Sequence, residues 1–345
     1  MAKCLALILA VFSLSHSAFA WNSLGHQVVA QIAYNHLDPE VKAKCNALLT
    51  NAAICGSSTI SFVASSTWAD QRCENGTSPQ HYIDLPINLD STNEISCVID
   101  PVNIVSAINQ HIATLQNPVS TDIAKANALR YLIHFVGDIQ QPLHSSTGIS
   151  ASNSWTCPGG DLGGNYFTLN GSWSQLHSLW DAGGGYLSSG TASSKATAVE
   201  AIYPYSFSVG MIPDPMTWAQ ESYWIAKTNA YVGITMNSTP SVAYTNKVQD
   251  ITKQRMAIGG QRLAKLLNSI FVTNAPSVTS VVLDGDNFLF SWGSVSGRTY
   301  RVQWKDQISD PTWNDLTDIT ATATSVTFTN PASQPQRLYR AVVVN

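Results

Sequence analysis

Apolar residues recur at helical spacing through most of this chain and alternate only near its end. In DPVNIVSAINQHIATLQ, Ile104, Ala107, Ile108, Ile112 and Leu115 share one helical face. Asp100 as N-cap and Pro101 at the first helical position predict where that helix starts. DIAKANALRYLIHFVGDIQQPLH repeats the period and predicts a helix that stops near Pro142. DPMTWAQESYWIAKTNAYV and VQDITKQRMAIGGQRLAKLLNSIF predict two more long helices. Segments 145–172 and 182–196, rich in Gly, Ser and Asn, read as loops.

After Ala275–Pro276 the period falls to two. NFLFSW, TYRVQW, SVTFTN and RLYRAVVV alternate as strands do, with Gly, Asp, Asn and Pro between them. The pattern predicts a mainly α protein. A helical domain over 21–275 is followed over 276–345 by a small antiparallel β-sandwich of the immunoglobulin or fibronectin class. Trp292, Trp304 and Trp313 lie in that second region, either as core or as a surface for carbohydrate.

Residues 1–20 have a basic start at Lys3, a short apolar run and Ala-x-Ala before Trp21, the layout of a cleavable export signal. That run is too short to anchor in a bilayer, and no later stretch is long and apolar enough to span one. The expected product is secreted, extracellular or periplasmic. Removing 20 of the 345 residues leaves 325 and, with Lys3 gone, moves the formal charge from −4 to −5. No run of Lys or Arg offers a footprint for nucleic acid. Export permits disulfides. Cys45, Cys55, Cys73, Cys97 and Cys157 remain, an odd number whose pairing the spacing leaves open. Without a CxxC pair, a thiolate zinc site is not expected.

The candidate chemistry lies in the histidines. His134 and Asp138 stand four apart in HFVGD, as do His177 and Asp181 in HSLWD. On a helix each unit offers an imidazole and a carboxylate to one point. Surface hydrogen bonding would explain one such pair, but two among apolar neighbours suggest a metal, because a carboxylate on an apolar face needs a partner. His144 follows just past Pro142. TWAD and QHYID add Asp70 and His81 in similar surroundings, whereas His36 and His111 read as surface or packing residues.

WNSLGH, WAD, HYID, HFVGDIQQPLH, GGDLGGN and LHSLWD occur in this order. Together they closely resemble the zinc-dependent single-strand nucleases of fungi, plants and bacteria, which also act as 3′-nucleotidases and are related to bacterial zinc phospholipases C. The likeness covers nearly all of 21–270 and stops before the C-terminal region. It implies a helical phospholipase C/nuclease-like domain binding three zinc ions. By resemblance the first zinc takes Asp70, His81, His134 and Asp138, and the second His144, His177 and Asp181. The third takes His26, a shared Asp138, and Trp21 through its α-amino nitrogen and carbonyl. Cleavage after Ala20 would then complete the site by freeing that amine. Three divalent ions outweigh three carboxylates, so an acidic chain can still attract phosphate.

The resemblance implies hydrolysis of single-stranded DNA and RNA to 5′-nucleotides by zinc-activated hydroxide, since two close metals lower the pKa of water from about 15.7 toward neutrality. Asp70 would orient or deprotonate the nucleophile. Tyr82 and Asp84 would hold a base, although core packing is an equal reading for Tyr82. Asn165 would contact phosphate, and Asp161 would orient a ligand histidine. After LHSLWD the family often continues with polar residues lining the cleft. AGGGYLSSG stands there instead, so specificity does not transfer. The alternatives are a zinc phospholipase C acting on lipid head groups, and a zinc-loaded binding protein. His26 five after Trp21 and the final Asp181 favour the nuclease. A monomer is expected. Sequons at Asn75, Asn170 and Asn237 matter only in a glycosylating host.

Overall fold

The computed structural model describes residues 21–51, 60–71, 77–206, 209, 214–271, 276, 278–294, 297–332 and 337–344. The predicted export signal over 1–20, Cys55, Cys73 and the Asn75 sequon lie outside the described residues.

The chain begins with α1 (Ser23–Asn35), α2 (Pro39–Leu49) and the short α3 (Phe62–Ser65). A pair follows, α4 (Ile104–Gln116) and α5 (Asp122–Asp138). Every residue of α5 from Ala126 to Asp138 is buried. A helix enclosed on all sides suits a centre, not an amphipathic face, and α1, α2 and α4 pack around it. Their apolar side chains, including Leu37, Phe62, Trp68, Ile108, Leu132 and Phe135, form the main core.

Two predicted helix boundaries move. The start of α4 is Ile104, not Pro101. Asn103 caps it by accepting from Val105 N and Ser106 N, and Asn103 N in return donates to Ser106 Oγ. Asp100 closes a turn onto Val102 N at 2.8 Å instead. The helix predicted to run toward Pro142 ends at Asp138, and a separate 3-10 turn, Pro142–Ser145, delivers His144.

Downstream come α6 (Leu176–Asp181), α7 (Ala192–Ile202), α8 (Pro215–Ile225) and the 30-residue α9 (Val242–Phe271). A π turn, Ala226–Ala230, extends α8. Gly260 lets α9 approach α1 closely: a Cβ there would sit 2.5 Å from the Ile32 side chain. Strands β1 (Pro86–Asn88) and β2 (Thr147–Ile149) pair in parallel, Ile87 opposite Gly148, and so bring together the segments that follow His81 and His144.

The C-terminal region holds β3 (Val278–Asp284), β4 (Asn287–Gly293), β5 (Thr299–Lys305), β6 (Asn314–Thr320), β7 (Ser325–Pro331) and β8 (Leu338–Val343). They form two antiparallel sheets, ordered β3-β4-β7 and β6-β5-β8. Phe290 and Trp292 from the first sheet meet Tyr300, Val302 and Ala341 from the second in one core. Trp292 is wholly buried, while Trp304 and Trp313 are half-buried under Arg337 and Arg340. Arg298 pairs with Asp38 at the start of α2. Among the described residues no helix is long and apolar enough to cross a membrane.

Candidate metal centre

Helix α5 places His134 and Asp138 on one buried face, and α1 brings His26 against them from the N-terminal side. The His26 and His134 rings stack with centroids 4.0 Å apart. Asp138 serves both directions: its Oδ1 lies 3.2 Å from His26 Nε2, and its Oδ2 lies 2.9 Å from His81 Nδ1 and 3.1 Å from His134 Nε2. Asp70 Oδ1 approaches His134 Nε2 at 3.4 Å. The second predicted unit on α6 places His177 Nε2 3.5 Å from Asp181 Oδ2, and His144 from the 3-10 turn meets it.

Three clusters therefore bring donor atoms within 4.8 Å of one another: His26, His134 and Asp138; Asp70, His81 and His134; His144, His177 and Asp181. Eight of the nine residues expected as ligands supply side chains to these groups. The ninth, Trp21, is buried beside them. Its indole donates to Gly137 O at 3.0 Å, and Asn22 N donates to Asp181 O at 3.0 Å.

Proton counting shows what these clusters can hold. His144 Nδ1 donates to His81 O at 2.8 Å, and His177 Nδ1 donates to Gly163 O at 2.7 Å. With each Nδ1 proton so placed, the two Nε2 atoms meet at 3.1 Å, a spacing that suits one shared cation between them, either a proton or a metal ion. His134 Nδ1 is likewise committed to Ser66 O at 2.6 Å, which turns its Nε2 toward His81 and the carboxylates. Both ring nitrogens of His26 and Oδ1 of Asp138 are buried without a hydrogen bond. Imidazole nitrogens and carboxylate oxygens converging on three points suit divalent metal ions, and backbone carbonyls that fix ring tautomers are the usual support for such ligands.

Electrostatics agree. Against their burial, Asp138 and Asp70 hold His134 well above the usual histidine range, and the facing histidines hold Asp138 well below the usual carboxylate range. Burial, joined by repulsion from His134, lowers His26. Burial, joined by Asp138 and Asp70, pushes Asp181 well up against the hydrogen bond from Gln141. These shifts mark a place where buried carboxylates call for positive charge, which a bound cation would supply.

A cavity of about 90 Å³ opens beside His144 and His177, walled by Tyr82, Asp84, Leu162 and Asn165. Tyr82 is half-buried with its side chain on this wall, so its surroundings are neither pure core nor free surface. Asn165 donates to Leu162 O at 2.8 Å. Gly163 makes the tight approach possible: at φ +61° a Cβ would strike Leu143 O.

Asp161 accepts from Gly148 N at 2.7 Å and from Tyr231 Oη at 2.8 Å, and so ties the loop to β2 and to the segment after α8. It holds the loop whose Gly163 carbonyl takes the His177 ring proton, while the carbonyls of Ser66 and His81 take those of His134 and His144. Those carbonyls escaped sequence reasoning, since a carbonyl carries no residue signature. Gln141, whose amide holds Asp181 Oδ1 at 2.7 Å, was also passed over although it stands inside HFVGDIQQPLH. His36 and His111 lie away from the clusters as expected: His36 pairs with Glu200 at 2.6 Å, and His111 stacks on Tyr131.

Comparison with known proteins converges on one group. The family model described as S1/P1 Nuclease matches residues 21–272. Nuclease S1 of Aspergillus oryzae is 28% identical over 312 residues, covering 78% of this chain and 98% of that protein. Nuclease P1 of Penicillium citrinum is 28% identical over 284 residues, covering 72% and 97%. Endonuclease 4 of Arabidopsis thaliana is 29% identical over 303 residues, covering 77% and 94%.

Proposed function

The chain belongs to the S1/P1 nuclease family, and on that premise we propose that it is an exported zinc phosphodiesterase. It cuts single-stranded DNA and RNA to 5′-nucleotides and also removes 3′-phosphate from nucleotides. The observation that carries this reading is the convergence of His144, His177 and Asp181 on one point, beside two further His/Asp clusters. The similar fungal and plant proteins are named nucleases and endonucleases, which supports nucleic acid as the substrate.

Nine residues would hold three zinc ions: Trp21, His26, Asp70, His81, His134, Asp138, His144, His177 and Asp181. Cleavage after Ala20 would free the α-amine of Trp21 for this purpose. Bound zinc supplies Lewis acidity, making water nucleophilic near neutral pH and offsetting charge on the phosphate. Asp70, a carboxylate 14% exposed at the edge of the first cluster, orients the attacking water and takes its proton. Attack in line with the 3′ oxygen leaves phosphate on the 5′ side. Tyr82 offers a ring for stacking and Asp84 an acceptor for base N–H groups, a combination that a paired duplex does not satisfy. Asn165 presents its amide to the phosphate. Residues 276–345 are read as an accessory module, and the enzyme as a monomer.

The test uses protein beginning at Trp21, supplied with zinc and offered single-stranded DNA and phosphatidylcholine in parallel. Release of 5′-mononucleotides, abolished by chelation and restored by zinc, is expected. Cleavage of the lipid alone would move the protein to the phospholipase branch. His144→Ala should abolish turnover. Normal turnover with full metal content would remove His144 from the centre.

A further inference from the structure

Tyr186, Lys195 and Lys253 come together from three separate segments. Tyr186 closes the turn that follows Asp181, Lys195 lies in the first turn of α7, and Lys253 lies on α9. Lys195 Nζ stands 3.9 Å from the centroid of the Tyr186 ring, and Lys253 Nζ stands 5.2 Å from it. All three side chains are half-buried and reach solvent. The only carboxylate within ion-pair distance of either ammonium, among the described residues, is Asp250. It meets Lys253 at 3.0 Å and is itself 73% exposed. Burial and then repulsion from Lys253 lower the Lys195 pKa, and among the described residues Lys195 has no carboxylate within ion-pair distance. In a chain of net charge −4, two lysines placed over one aromatic ring stand out.

Their position bears on the substrate. Asn22 fastens this turn to the N-terminus, because its backbone N–H donates to Asp181 O and its side-chain amide donates to Leu187 O at 3.1 Å. Leu187 packs with Trp21, and Tyr186 packs against the same cluster. The turn that carries Tyr186 thus adjoins Trp21, and the two lysines gather on its ring, whereas the Tyr82 cavity lies against His144 and His177. A nucleotide held at Tyr82 leaves the rest of its strand to run on past the clusters. Cationic side chains beside an aromatic ring are the general means of holding single strands without reading sequence.

Resting on the nuclease reading above, we propose that Tyr186, Lys195 and Lys253 form a platform for the phosphodiester backbone of a polynucleotide, engaged only by substrates longer than a mononucleotide. The experiment compares wild type with Lys195→Gln/Lys253→Gln on a long single-stranded oligonucleotide and on a 3′-mononucleotide. The expected result is an oligonucleotide KM raised about tenfold, with kcat and the mononucleotide KM unchanged. The slope of log KM against log salt should weaken by about 1.4, at ~0.7 per phosphate contact on a single strand. The Lys195→Arg/Lys253→Arg variant should retain the wild-type oligonucleotide KM. An unchanged oligonucleotide KM, or an equal shift for both substrates, would overturn the platform. Zinc-loaded wild type inert toward both substrates would instead sink the nuclease reading, a result visible before any variant is made.

Discussion

Gly137 is held from two sides by the N-terminal helix: its carbonyl oxygen accepts the Trp21 indole N–H at 3.0 Å, and its Cα faces the His26 ring. The next residue is Asp138. The first described residue of the chain is thereby locked to the carboxylate that the clusters share, although 116 positions separate Trp21 from Gly137. A terminus would normally fray. One created by cleavage after Ala20 would be fixed by a buried ring and by the bond from Asn22 to Asp181.

One extra residue before Trp21 should therefore be costly. It converts the amine into an amide and removes a ligand, while the indole keeps its place. The expected protein binds two zinc ions in place of three and loses about 10²-fold in kcat/KM, the usual scale for a small displacement of reacting groups. Metal analysis beside steady-state kinetics checks this. Three ions with full activity would take Trp21 out of the ligand set.

Gly137→Ala tests the same junction from inside α5. The new Cβ would lie 2.9 Å from His26 Nδ1, closer than real contacts allow. Alanine gains about 1 kcal/mol of helix propensity, but overpacking a rigid core costs about 1–3 kcal/mol. A net loss of stability with weakened zinc retention is expected, measured by urea unfolding and by dialysis against a chelator. A more stable variant with full zinc would show that the ring can move aside freely.

Asp84 gives the protein a pH signature separate from its metal ligands. Burial first, then Asp161 and Asp100, push its carboxyl up to about 7. An unfolded Asp titrates near 3.9, so between these values the folded state binds the proton more tightly. The stability this confers is complete below about pH 4 and is lost as pH rises through about 7. In zinc-loaded protein, Asp84→Asn should flatten that part of the stability curve and gain most over wild type near pH 8. Parallel curves for the two proteins across pH 4–8 would refute the assignment.

Glu221 bridges two buried guanidinium groups, Arg255 at 3.1 Å and Arg262 at 2.7 Å, and Arg255 in turn holds Gln140, two residues past Asp138. Glu221→Ala leaves both arginines without a counter-charge. Full burial would make that cost about 3–5 kcal/mol. Glu221 is 32% exposed, so solvent screening should reduce the loss to about 2 kcal/mol. Glu221→Gln, which keeps one acceptor, should lose less. Equal urea midpoints for wild type and Glu221→Ala would mean the bridge contributes nothing.

Much of this architecture is legible in the residues. Helical spacing from Ile104 to Leu115 and the i,i+4 units on α5 and α6 appear where periodicity places them, because a repeated apolar face has one way to be buried. NFLFSW and TYRVQW likewise become β4 and β5, whose aromatics fill the sandwich core. VTSVVLD and NDLTDIT were harder to see: β3 and β6 are almost wholly exposed, so no buried face imposes alternation on them. The start of α4 was misjudged because Asp100–Pro101 and Asn103 both offer a start, and only the reciprocal bond with Ser106 decides between them. The donor residues were readable as types in order. The carbonyls of Ser66, His81 and Gly163 that aim them depend on how loops close, which no local pattern records.

The carboxylate of Asp138 faces His26 through one oxygen and His81 and His134 through the other. Ions held on its two sides would share this one side chain, so Asp138 would set the spacing between two neighbouring ions. A change at this single position would then be felt on both sides of the centre at once, and its loss would not be confined to one ion.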